Sequence, residues 1–122
     1  MVFSIQESAE FFARSLAATW DRNIILDRLQ EVRVAFFQGP NTADPLIELV
    51  EPGELGSPVS RFLERGGGLH HLCYEVRDMD SHLVFCKSAG NIVIRSPVPA
   101  VTFGGGHIAW AVTKDRAFDG IP

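Results

Sequence analysis

The feature that most constrains this chain is that it nearly repeats itself. Sliding the second half back by 74 positions lays Val76 on Val2, Asp78 on Ser4, Met79 on Ile5 and Phe85 on Phe11. The same offset lays His107-Ile108-Ala109-Trp110 on Arg33-Val34-Ala35-Phe36. One offset that serves both a helix-like segment and a strand-like one points to an internal duplication of a strand-helix-three-strand unit.

The first copy opens on Ser4, followed by Ile5, Ala9, Phe12, Ala13 and Leu16 at three-to-four spacing, with Glu7 completing a capping box. This predicts a helix over Ile5–Leu16. Three short runs of branched and aromatic residues follow, Trp20–Leu26, Glu31–Phe37 and Leu46–Val50, parted by Gly39, Pro40, Asn41 and Pro45, and they predict a meander. Glu51–Gly56 reads as a turn and Pro58–Arg65 as a short helix with Ser57 at its cap and proline at its first position. The run Gly66-Gly67-Gly68 is a joint. Beyond it the order restarts, with a strand over Leu69–Val76, a helix over Met79–Ala89 between Asp78 and Gly90, and strands over Ile92–Arg95 and His107–Thr113.

The expected organisation is therefore one domain of the α+β class, built of paired βαβββ modules: residues 1–50, a linker over 51–68 and residues 69–122. The offset would put the counterpart of His71 ahead of Met1 and that of Glu48 on Pro122, so each module is expected to lack one outer strand.

Of 122 residues 46% are hydrophobic and 21% charged, as in a globular domain. Eleven basic residues against fifteen acidic ones, scattered singly, offer no stripe for phosphates, so no nucleic-acid partner is expected. Glu7 and Glu10 stand where a signal peptide would carry positive charge, and the apolar runs are short. A cytoplasmic protein with no membrane partner is expected. Cys73 and Cys86 lie too far apart for a close zinc pair and read as small buried hydrophobes.

Alternation along the strands sets His71, Cys73 and Glu75 in one row and His70, Leu72, Tyr74 and Val76 in the other, the second row being the one expected to pack on helices. The same reasoning groups Arg33 with Ala35 and Phe37, and His107 with Ala109. It predicts one apolar sheet face and one carrying Glu48, His71, Glu75, Arg33 and His107, a scaffold for a concave site. Antiparallel sheets also leave one face in water as a matter of course, so Arg33, Glu75 and His107 taken singly read as well as solvated surface.

The runs Ile47-Glu48-Leu49-Val50-Glu51-Pro52, Ser57-Pro58, Phe62-Leu63 and Gly66-Gly67-Gly68-Leu69-His70-His71 resemble the vicinal oxygen chelate superfamily, and within it methylmalonyl-CoA epimerases and glyoxalase-like proteins. The resemblance covers the chain from Val2 to about Thr113. It implies an open barrel around a divalent ion such as Co, Ni, Zn, Mn or Mg, held by four ligands. Glu48 and His71 match two of the ligand positions, and the other two are those that the offset places outside the chain. Asp119 is a weaker substitute ligand from the tail. Where epimerase relatives place a catalytic acid on the third strand this chain has Arg33, which cannot serve as a base near neutrality.

Two functions remain open on this basis. One is a small-molecule-binding glyoxalase-like domain with a degenerate metal site and little catalytic efficiency, its pocket lined by Arg33, Phe37, Cys73 and His107. The other is a divalent-metal-dependent isomerase or lyase completed by oligomerisation, with Glu48 and His71 as ligands and Glu75 as proton shuttle. Both take a small carbonyl or acyl-thioester ligand. In both, uncovered strand edges beside Glu48 and His71 favour a homo-oligomer, and metal is weakly held or absent in the monomer.

Overall fold

The computed structural model describes residues 1–54 and 56–113. The chain divides into two compact units, Met1–Leu69 and the segment from His70 onward. Just ahead of the division, Gly66, Gly67 and Gly68 take φ of 115°, 66° and 94°, a left-handed run that side-chain-bearing residues adopt only under strain. Among the described residues no helix is long and apolar enough to cross a membrane.

In the first unit helix α1 spans Ile5–Ser15, with the Glu7 N–H donating to Ser4 Oγ at 3.3 Å. A carboxylate joins the cap from a distance in sequence: the Ile5 N–H donates to Glu51 Oε2 at 2.6 Å. Strands β1 (Thr19–Trp20), β2 (Ile25–Asp27), β3 (Val32–Gln38) and β4 (Ile47–Pro52) form one antiparallel sheet. Strand β3 is its axis, with β4 on one side and both β1 and β2 on the other. The single strand predicted over Trp20–Leu26 is thus two pieces. Trp20 pairs with Phe37 and Ile25 with Val34, so residues 21–24 stand opposite only Ala35 and Phe36. The surplus is taken up by a tight loop in which Asp21 accepts from the Asn23 N–H and Nδ2, and Arg22 turns left-handed at φ 65°.

The register of β3 with β4 sorts the side chains. Phe37 lies opposite Ile47, Ala35 opposite Leu49 and Arg33 opposite Glu51, and this row faces α1. There Ile5, Ala9, Ala35, Phe37 and Leu49 form the main core, with Trp20 stacked on Phe37 at 5.5 Å between ring centroids. The other row pairs Phe36 with Glu48, Val34 with Val50 and Val32 with Pro52. It is not simply polar as the sequence predicted. Val32, Val34 and Val50 bury a second cluster against Val59, beside the short helix α2 (Ser60–Glu64). Ser57 does not cap that helix; its hydroxyl donates instead to the Glu31 carbonyl at 2.7 Å. The Val2 N–H donates to Val50 O at 2.9 Å, so the first residues cover part of the β4 edge that the sequence left bare.

The second unit is thinner. Helix α3 (Met79–Ser88) is capped by Asp78, whose Oδ1 accepts from the Ser81 N–H at 3.0 Å. Strands β5 (Ile92–Pro99) and β6 (His107–Val112) pair antiparallel, with register shifts on either side of Arg95. Strand β5 runs four residues past its predicted end at Arg95. The strand predicted over Leu69–Val76 is not formed: no described residue ladders with it. A strand is defined by its neighbour, and alternating apolar residues alone cannot supply one. Leu72 and Tyr74, expected beneath helices, are 54% and 75% exposed, and α3 buries no residue fully. Cys73 is exposed and Cys86 only half-buried, which corrects the expectation of two buried thiols.

Candidate functional site

Glu48 sits in the middle of β4 on the face turned away from α1, opposite Phe36. Asp27 at the end of β2 lies opposite Val32, in the same row. Asp27 is 2% exposed, and its carboxylate accepts from the Leu29 N–H, the Gln30 N–H and Gln30 Nε2 at 3.0, 3.1 and 3.2 Å. A buried carboxylate tied down in this way is a fixed negative charge within the sheet face. Desolvation first, and the charge of Asp27 second, raise the pKa of Glu48 to about 7, against the pull of the Met1 amine. Near neutrality Glu48 is therefore a carboxyl group that both donates and accepts.

Two residues expected beside Glu48 lie on the opposite face. Phe37 is fully buried against α1. Arg33 lies opposite Glu51 with Nη1 3.7 Å from Oε1, and also donates to Pro52 O at 3.4 Å. The expectation that Arg33 and Phe37 line a pocket with Glu48 is therefore corrected. Alternation within β3 holds, but its phase against β4 is set by the connection through residues 39–46, which alternation cannot reveal.

In the second unit His71 meets His70 and Trp110. The Nδ1 atoms of the two histidines are 2.9 Å apart. The Trp110 ring lies 4.6 Å from that of His71 and 6.2 Å from that of His70, edge to face in both cases. Burial lowers the pKa of both imidazoles; for His70, 6% exposed and beside His71, it falls to about 4. Both rings are neutral at physiological pH. The sequence placed Trp110 and His71 in opposite rows, but where no ladder holds the backbone strict alternation is not enforced. Cys73, Glu75 and His107 are exposed, and His107 opens β6 opposite Pro99. Asp119 lies outside the described residues.

Sequence reasoning missed three participants. Asp27 gave a signal in its Asx turn with Leu29 and Gln30, which a search for aspartates just past a strand would have found. His70 and Trp110 were assigned to packing, and nothing local distinguishes a packing imidazole from one that touches its neighbour's nitrogen.

A carboxyl group and a neutral imidazole are donor types that a divalent ion accepts. Yet no three histidine, cysteine, aspartate or glutamate side chains converge among the described residues. The described residues do not by themselves make a metal site.

Residues 1–110 match the Glyoxalase/Bleomycin resistance protein/Dioxygenase superfamily. The chain belongs to that superfamily. An ethylmalonyl-CoA/methylmalonyl-CoA epimerase of Cereibacter sphaeroides is 40% identical over 86 residues, 69% of this chain and 62% of the relative. Methylmalonyl-CoA epimerase from Mycobacterium tuberculosis shares the fold, with a TM-score of 0.77 at 20% identity over 90% of this chain and 72% of that one. A variant of the Streptomyces coelicolor epimerase in complex with 2-nitronate-propionyl-CoA has a TM-score of 0.72 at 22% identity, over 89% of this chain and 79% of that one. The α+β class read from the repeat, and the glyoxalase-like architecture implied by the resemblance, are thus borne out. This superfamily member spans less than two thirds of the length of the curated relatives it matches.

Proposed function

We propose that the chain binds the acyl end of a short coenzyme A thioester through Glu48, that His71 is a ligand-facing group of its own unit, and that the chain works as a homo-oligomer. The observation that carries this reading is Glu48 itself: a desolvated carboxyl, about half protonated at neutrality, on the sheet face away from α1. Such a group donates a hydrogen bond to a thioester or carboxyl oxygen, whereas an ionised one would repel it. The acyl-CoA names of the epimerase relatives support the ligand class. Oligomerisation is supported by the apolar residues that the second unit leaves exposed, among them Val84, Phe85 and Ile92.

A second reading, metal-assisted epimerisation with further ligands from an assembly, is favoured by the 40% identity to an ethylmalonyl-CoA/methylmalonyl-CoA epimerase. The two readings differ in the sign of their pH dependence. Donation by neutral Glu48 makes propionyl-CoA affinity fall as pH rises through about 7. A carboxylate ligand must lose its proton, so metal-supported binding would strengthen over the same range. Calorimetric titration of the chelator-treated protein with propionyl-CoA at pH 6 and 8, alone and with added cobalt(II), separates them. Equal affinity of wild type and Glu48→Ala under all four conditions would sink both.

A further inference from the structure

The contact between the two histidines has a consequence for which atoms they present. Two Nδ1 atoms at 2.9 Å share one proton. With two protons the N–H groups would collide; with none, two lone pairs would face each other. In a neutral pair, the ring that carries its proton on Nδ1 keeps a lone pair on Nε2, and the other ring carries N–H at Nε2. The tautomers of the neighbours are therefore tied: one Nε2 of the pair is an acceptor and the other a donor, and that of His70 is buried. Trp110 lies edge to face with both rings, which restrains either from swinging out of the contact.

We infer that His70 is a positioning residue that accepts the Nδ1–H of His71 and so holds Nε2 of His71 as a lone pair, the atom through which His71 meets its ligand. The direction of the bond rests on the reading of His71 as a ligand-facing group; the tie between the tautomers rests on the geometry alone. His70 acts here as the partners of ligand histidines do elsewhere, by fixing tautomer and ring orientation from behind.

Long-range nitrogen–proton correlation spectra of the whole chain at pH 7.5, without ligand, report the tautomer of each ring directly. The expected pattern is Nδ1–H for His71 and Nε2–H for His70. In His70→Asn the amide oxygen stands near the place of Nδ1 and accepts the same proton, so His71 keeps its pattern. In His70→Phe the ring volume stays but the acceptor is gone: His71 shifts toward Nε2–H and propionyl-CoA affinity drops about tenfold. Nε2–H on His71 in the wild type, or an unchanged His71 pattern in a folded His70→Phe, would overturn the inference. Should the Phe variant not fold, the wild-type and Asn spectra still decide. Failure of the underlying reading looks different: His71→Ala would then bind propionyl-CoA as tightly as the wild type, which removes the assigned role whatever tautomer the spectra report.

Discussion

The two modules start from similar sequences and end in different physical states. In the first, α1 covers one face of a sheet and the valine cluster beside α2 covers much of the other. In the second, α3 accompanies a two-stranded hairpin. All but one of the buried apolar residues among those described lie in the first unit, Ala100 being the exception. Phe11 and Phe85 occupy matching positions, yet the offset says nothing of what each helix will find beneath it. An amphipathic helix and one hairpin do not close a core; a third layer or more strands are required. Burial is a property of the neighbours a segment acquires, and a repeated sequence can acquire them unequally.

The largest effect expected from this contrast separates two phenylalanines. Phe37→Ala, at a position with no exposed surface, should cost about 3–5 kcal/mol in denaturant unfolding. Phe85→Ala, at a position 65% exposed, should cost less than about 0.5 kcal/mol at protein concentrations dilute enough to keep the chain monomeric. A comparable loss at Phe85 under those conditions would break the comparison, because it would mean that the α3 face is covered within a single chain.

The modules should also respond to pH in opposite directions. Glu48 has a raised pKa, so the folded first unit holds a proton that the unfolded chain releases. Its stability is greatest below about 4.5 and falls as pH rises toward about 7, by on the order of 2–3 kcal/mol. His70 has a lowered pKa, so the folded second unit refuses a proton that the unfolded chain takes. Its stability is full above about 6.5 and is lost as pH falls toward about 4. Hydrogen exchange at pH 5 and pH 7.5, corrected for intrinsic rates, should therefore show β3 better protected at the lower pH and β6 better protected at the higher. Parallel shifts in both units would contradict this.

The smallest effect concerns the helix caps. Asp78→Ala should destabilise α3 by about 1 kcal/mol. Ser4→Ala should cost α1 less, because Glu51 still receives the Ile5 N–H. Circular dichroism on the two variants orders them.

The sequence made the repeat, both longer helices and the meander legible because caps, three-to-four spacing and breakers are local signals. Glu48 and His71 were singled out by a motif of contiguous residues. The phase of Arg33 and Phe37 against Glu48 was not legible, since one residue of register between strands inverts every face and the loop that sets it carries no such signature. The missing ladder at Leu69–Val76 shows the same limit from the other side. Its pattern suits a strand, but hydrogen bonds across a sheet are a relation between segments rather than a property of one. Asp27 influences Glu48 through charge in a shared row, and that row exists only once the chain is folded.

The interruption between β1 and β2 bears on how the protein behaves when crowded. On that flank of β3 the outer strand comes as pieces of two and three residues, with the left-handed Arg22 between them. An incoming chain seeking to extend the sheet finds no run long enough to template it, and Arg22 adds charge at the break. The two surplus residues that spoil the regularity of the sheet thus protect against fibrillar growth, and restoring one continuous strand by deleting them would trade solubility for order.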